Sequence, residues 1–134
     1  MTFEEYPLGG DSPGTRRAVA LYRYGTKGGR PKVYIQAALH ADEMPGVIVI
    51  QHLLPLLDQA EAEGRIRGEI VVVPVANPIG LAQWSFHKPS GRFEAESMEN
   101  FNRRYPDLGP AVVDAVRGRL STDLAANTPS SGPK

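Results

Sequence analysis

His40 and Glu43 stand three residues apart in Leu39-His40-Ala41-Asp42-Glu43-Met44-Pro45, where a strand-like pattern gives way to a helical one. An imidazole nitrogen and a carboxylate oxygen are good ligands for a divalent metal, at about 2.0–2.2 Å. A turn that follows a strand can fold both side chains inward onto one ion. The same spacing fits a capping glutamate beside a half-buried histidine, so spacing alone leaves both readings open. A second group of chemically able residues is Asn100-Phe101-Asn102-Arg103-Arg104-Tyr105-Pro106-Asp107, with Gly91-Arg92-Phe93 shortly before it. Guanidinium groups grip carboxylates through paired hydrogen bonds, and an asparagine amide adds a donor beside them. The alternative is a solvated loop with ordinary surface arginines. His52 falls about 13 Å beyond Glu43 along a helix and cannot share an ion with it. His87 lies in a long loop from which it could approach the site, but a ligand role is not favoured. Trp84 and Phe86 are expected to pack that loop down.

The elements that must position these groups follow from periodicity. Residues 1–16 read as a polar, turn-rich lead-in. Arg17 to Tyr24 reads as a strand, Gly25 to Pro31 as a turn, and Val33 to Leu39 as a second strand with Val33, Ile35, Ala37 and Leu39 on one face. These two strands are expected to pair antiparallel. From Pro45, residues Val47, Ile50, Leu53, Leu54 and Leu57 fall at helical spacing, and proline suits a first turn. Pro55 predicts a kink or a weaker second half, and Gly64 the end. Ile70-Val71-Val72-Val73-Pro74-Val75 suits a strand buried on both faces of a parallel sheet.

Residues 33–75 then form one βαβ unit with a right-handed crossover. His40-Ala41-Asp42-Glu43 and Asn77-Pro78-Ile79-Gly80 emerge together at its carboxyl edge, where open α/β sheets bind ligands. Residues 77–109 read as a long loop at that edge, of a length that tends to be functional. Ala111 to about Ala125 reads as a last helix with Val112, Val116, Leu120 and Leu124 on a stripe. Residues 126–134 read as a disordered tail. The resulting fold class is α/β, a partial mixed or parallel sheet with flanking helices.

Composition narrows the function classes. The 134 residues carry 15 Lys+Arg against 15 Asp+Glu. With a pI near 6.8, the basic surface of a nucleic-acid binder is missing. The absence of cysteine removes disulfides, thiolate metal ligands and thiol nucleophiles. No apolar run approaches the roughly 18–20 residues of a membrane span. The acidic start Met1-Thr2-Phe3-Glu4-Glu5 lacks the apolar core of a secretory signal, which leads to the expectation of a cytoplasmic protein. There is no G-x-S-x-G, G-x-x-x-x-G-K-[ST], H-E-x-x-H or G-x-G-x-x-G.

Three segments in order carry a family resemblance: Ile35 to Gly46 around His40 and Glu43, Val73 to Gly80, and Gly91-Arg92-Phe93 with Asn100 to Pro106. Over residues 12–109 the chain resembles the succinylglutamate desuccinylase/aspartoacylase family of the zinc-carboxypeptidase-like superfamily. The resemblance implies the amino-terminal part of that fold, as a truncated catalytic domain over 17–125. It implies zinc, with His40 and Glu43 as the first two ligands. Asn102 and Arg103 match the pair that binds the substrate carboxylate, and Arg92 matches the arginine that polarises the scissile carbonyl. The segment from Arg92 to Asn102 is longer than in aspartoacylase.

The family's third ligand is a later histidine and its base a later glutamate. No histidine follows Tyr105 here, so a fragment is expected. The implied activity is zinc-dependent hydrolysis of an amide bond adjacent to a carboxylate, in an N-acyl amino acid or short peptide. A zinc carboxypeptidase acting on short peptides and a non-catalytic carboxylate- or metal-binding domain are the alternatives. No nucleic-acid or membrane partner is expected, and the oligomeric state is left open.

Overall fold

A computed structural model describes residues 1–10, 13–123 and 126–127. Two compact units result, Met1–Arg103 and the residues from Arg104 onward.

The first unit is built on a four-stranded mixed sheet of β1 (Thr2–Pro7), β2 (Ala18–Gly25), β3 (Lys32–Gln36) and β4 (Glu69–Val73), in the order β1-β2-β4-β3. β3 and β4 run parallel, with Val33 opposite Ile70 and Ile35 opposite Val72. Helix α1 (Pro45–Ala62) joins them, as the βαβ reading expected. It starts on Pro45, runs through Pro55 to Ala62, and is followed by Gly64 at φ +65°. Its buried stripe meets one face of the sheet. Tyr24, Ile50 and Val72 form the centre, with Tyr22, Ile35, Leu54, Leu57, Ile66 and Ile70 packed around them. Burial of such side chains contributes roughly 1.5–3 kcal/mol each and is the main force holding helix to sheet.

Several local expectations are corrected. β2 and β3 do not pair; β4 lies between them, antiparallel to β2 and parallel to β3. Its Ile-Val-Val-Val run is apolar on both faces, and a central position covers it best. The β2–β3 connection therefore crosses the start of β4 at close quarters, with Thr26 N–H donating to Gly68 C=O at 2.9 Å. A Cβ on Gly25, itself at φ +75°, would lie 2.3 Å from that oxygen, so only glycine passes there.

The lead-in is not devoid of structure, because Thr2–Pro7 pairs with β2. Its alternating side chains are mostly exposed, so the strand has no apolar period to read. Phe3 against Tyr22, at 5.3 Å between ring centres, and Glu4 against Arg23 fasten it. β3 stops at Gln36 rather than Leu39, and Val33 is exposed rather than core.

Residues 77–109 are not one structureless loop. They contain α2 (Pro78–Leu81) and a small hairpin of β5 (Trp84–Ser85) and β6 (Lys88–Pro89). Trp84 and Phe86 do not pack the loop down, being 67% and 94% exposed. They sit on a two-residue hairpin whose turn needs positive φ at Phe86 and His87, +49° and +65°, and this turns Phe86 outward.

In the second unit, α3 spans Gly109–Val116. It is shorter than expected because the chain turns at Gly118, φ +70°. Leu120 lies beyond it, and Val112 and Val113 are exposed. Leu124, Ala125 and residues 128–134, most of the expected tail, lie outside the described residues.

Candidate functional site

The parallel pair delivers two chain segments to its carboxyl edge. Past Gln36 the strand geometry ends, yet the ladder continues: Ala37 N–H donates to Val73 C=O (3.0 Å) and Asn77 N–H to Ala38 C=O (3.1 Å). Ala38 takes φ +53°, and His40, two residues on, is buried. Asn77 fastens the arrangement from β4. Its Nδ2 donates to Leu39 C=O (3.0 Å), and its Oδ1 caps α2 by accepting from Gly80 N–H (2.8 Å). Asn77-Pro78 therefore starts a helix and braces the histidine turn as well. A one-turn bond from Glu43 N–H to His40 C=O (3.0 Å) puts Glu43 beside the ring.

A third segment closes on this turn. Ala41 N–H donates to Gly91 C=O at 3.0 Å, and a Cβ on Gly91 would meet Ala41 Cβ at 2.8 Å. Glycine at this position lets its neighbour Arg92 reach the site. Arg92 Nη1 contacts His40 Nδ1 at 2.9 Å, Nη2 donates to Glu43 Oε1, and Nε faces Asp42 Oδ2 at 3.8 Å. The other oxygen of Asp42, Oδ1, is buried and has no hydrogen-bond partner among the described residues. The hydrogen bond from the Arg92 guanidinium holds the Glu43 carboxyl below the usual range. Glu43 is thus a carboxylate acceptor at neutral pH.

The proton on His40 can be assigned from its neighbours. Asn102 N–H, a donor without alternative, points at Asn100 Oδ1 (2.8 Å), which fixes that atom as an acceptor. The same oxygen lies 2.8 Å from His40 Nε2, so Nε2 carries the proton and donates. Arg92 Nη1, which can only donate, lies 2.9 Å from Nδ1, so Nδ1 presents its lone pair, with Glu43 Oε1 3.4 Å away. Two acceptors face each other with a cation lying against both.

This donor set suits a divalent metal. Two ligand atoms at about 2.0–2.1 Å in a tetrahedral site are roughly 3.3 Å apart, close to the observed 3.4 Å. A second-shell hydrogen bond that fixes the tautomer, as Asn100 does, is the usual accompaniment of a ligating histidine. Among the described residues no group of three His, Cys, Asp or Glu side chains is gathered. The pair fits a zinc ion in part, supplying two of the ligands it takes.

Of the residues singled out from sequence, His40, Glu43 and Arg92 meet directly. Asn102 and Arg103 reach the same corner through backbone bonds to Asn100, Arg103 N–H donating to Asn100 C=O at 3.2 Å. The exposed Arg103 guanidinium donates to Asn102 C=O (2.7 Å). His87 sits at the exposed hairpin turn and His52 on the exposed side of α1. Asn100, named from sequence with its cluster but given no role there, is the residue that fixes the His40 ring.

The fold and this corner define an α/β domain that gathers an imidazole, a carboxylate and a guanidinium at the carboxyl edge of its parallel strands. Residues 29–111 match the succinylglutamate desuccinylase/aspartoacylase catalytic domain, and the chain belongs to that family. It is similar to two solved structures described as proteins of the same family. The one from Shewanella amazonensis is 34% identical, with a TM-score of 0.72, over 90% of this chain and 33% of that one. The one from Shewanella frigidimarina is 30% identical, with a TM-score of 0.69, over 90% of this chain and 32% of that one. The chain thus spans about a third of the length of these structures. No curated protein matches it.

Proposed function

We propose that this chain is the part of a zinc-dependent amide hydrolase that supplies two metal ligands and the substrate-carboxylate grip. The observation that carries the reading is the convergence of His40 Nδ1, with its lone pair free of a proton, and the Glu43 carboxylate at 3.4 Å. Zinc, when bound, supplies a Lewis acid beside the scissile carbonyl.

The chain's own residues do the rest of the positioning. Asn100 holds the His40 ring through Nε2–H. Arg92, one residue past the Gly91 contact, donates to charge that develops on the carbonyl oxygen, which a fixed guanidinium stabilises better than water does. Asn102 and Arg103 hold the substrate's carboxylate, and a bidentate guanidinium gives that grip its direction. The substrate class is an N-acyl amino acid or short peptide, met in the cytoplasm. A third ligand and a general base are not gathered at this corner among the described residues.

Calorimetric titration of the purified chain with zinc tests this. Binding weaker than that of a three-ligand site, abolished by His40→Ala and by Glu43→Gln, is the expected result. Nanomolar binding that survives His40→Ala would sink the assignment. Steady chelator-sensitive turnover of N-acyl amino acids by the chain alone would show that a base is already present. Of the non-catalytic alternatives, a carboxylate-binding domain predicts neither zinc binding nor any dependence on His40, and a metal-binding domain predicts zinc binding but no turnover in a full-length relative.

A further inference from the structure

Next to Arg92 lies a cleft of about 240 Å³ lined by Ser85, Ser90, Arg92, Phe93, Ala95 and Met98. We propose that it receives an uncharged, apolar acyl group of the substrate, an inference that rests on the hydrolase reading above. Its walls are held in place by design of the local hydrogen bonds. Gln83 Nε2 donates to Ser90 C=O (3.1 Å) and Phe93 C=O (2.7 Å), while its Oε1 accepts from Ala95 N–H (2.9 Å). One amide thus fastens the hairpin to the segment after Arg92. The far wall is a self-capped turn. The Glu94 carboxylate accepts from Glu96 N–H (3.1 Å) and Ser97 N–H (2.6 Å), and Glu94 N–H donates to Glu99 C=O (2.8 Å).

One wall also carries backbone strain: Met98 has φ of +57°, a region that non-glycine residues rarely occupy. Such outliers gather where structure is held for a function. Phe101 N–H to Arg92 C=O (3.2 Å) and the Phe93–Asn100 bridge tie the cleft to the turn that holds His40. A carbonyl presented to Arg92 therefore has its acyl substituent beside the cleft.

The lining decides what that substituent is. Phe93, Ala95 and Met98 give carbon, Ser85 and Ser90 give hydroxyls, and the one cation in the lining is Arg92, which Glu43, Asp42 and the substrate carbonyl share. Lys88 on the hairpin is not part of the lining, and the turn after Arg92 bears Glu94, Glu96 and Glu99. A second carboxylate on the acyl group would meet like charge there, whereas an aliphatic or aryl group buries carbon. Sites that enclose a whole drug-sized molecule run to roughly 300–1,000 Å³. The smaller cleft suits one substituent.

The test is amide-resolved NMR titration of the chain, without zinc so that no hydrolysis intervenes, using N-acetylglycine, N-hexanoylglycine, N-succinylglycine and N-acetylleucine. N-hexanoylglycine should bind at least about tenfold tighter than N-acetylglycine, shifting the amides of Ser85, Ser90, Phe93 and Ala95. N-succinylglycine and N-acetylleucine should gain nothing comparable. Met98→Asp and Phe93→Ala, both on an exposed turn, should each erase the hexanoyl advantage. The proposal is overturned by equal or tighter binding of the succinyl compound, by an advantage for the leucine compound instead, by an advantage indifferent to both variants, or by no shift at these amides. The hydrolase reading fails separately, on zinc binding through His40, which leaves the acyl-length preference to stand or fall on its own map.

Discussion

Two guanidinium groups in this molecule lie between carboxylates, and they do different work. Arg23 sits mid-sheet at the amino end of the parallel pair, on the face opposite α1. It donates to Glu4 (2.6 Å) on β1 and to Glu69 on β4, while Lys32 Nζ on β3 lies 3.1 Å from Glu69 and Gly28 N–H donates to it at 3.2 Å. One charge ladder thus crosses all four strands, with Arg23 only 10% exposed and Glu69 buried. Arg92 is at the opposite, carboxyl end. It contacts Glu43, Asp42 and His40 from a loop, at 38% exposure, beside a carboxylate that is 56% exposed.

The difference is one of saturation. Glu69 has two cations and a backbone N–H and can take little more. At the His40–Glu43 corner the half-exposed Arg92 is the cation that faces both the imidazole lone pair and the Glu43 carboxylate, and among the described residues Asp42 Oδ1 has no hydrogen-bond partner. A saturated network on strands holds a fold, and an unsaturated one on loops can exchange its cation for a ligand.

The sharpest way to break this contrast is to remove each arginine. Arg23→Ala leaves Glu69 buried without its guanidinium. It should lower Tm by more than about 10 °C, the consequence of stripping one partner from a buried pair. Arg92→Ala should leave Tm within about 3 °C, as partly exposed pairs contribute little. Thermal denaturation of both variants followed by circular dichroism decides it, and equal losses would erase the distinction.

Titration sharpens the same point. Hydrogen bonds from Arg23, and then from Tyr6, lower the Glu4 carboxyl from 4.5 to about 2. A depressed carboxylate stabilises the fold above its unfolded pKa, and that contribution fades as pH falls from about 4.5 through about 2. Carboxyl NMR should give a Glu4 midpoint near 2, returning toward the ordinary range in Arg23→Gln.

On the open side, lysine keeps the charge of Arg103 but not its planar fork. The equivalent of Arg103→Lys in a full-length relative should reduce kcat/KM by about tenfold or more, the scale of one charge-assisted hydrogen bond. The equivalent of Arg104→Lys should change little. The reverse ranking would show the loop to be aligned one residue out. The smallest expected effect is on zinc itself. Because the Arg92 guanidinium faces the same lone pairs as a metal, Arg92→Ala should raise the zinc affinity of the chain up to about five-fold by calorimetry. A loss of affinity would mean that Arg92 shapes the site rather than competing for it.

What residue order alone determined was the βαβ unit and the place where its chemistry must emerge. The period of Val47, Ile50, Leu54 and Leu57 and the β-branched run of β4 are local signals, readable because burial imposes them residue by residue. They put His40-Ala41-Asp42-Glu43 and Asn77-Pro78 at one edge. Strand order was decided elsewhere, since β1 is held by pairing and by Glu4–Arg23 rather than by an apolar stripe, and β4 separates β2 from β3 for reasons of burial that no turn sequence encodes. The tautomer of His40 was likewise a tertiary matter. It depends on Asn100 accepting from Asn102 N–H and His40 Nε2 together, a meeting of groups 60 residues apart in the chain. Hydrogen-bond direction is a property of three-dimensional neighbours, and only the folded chain brings them together.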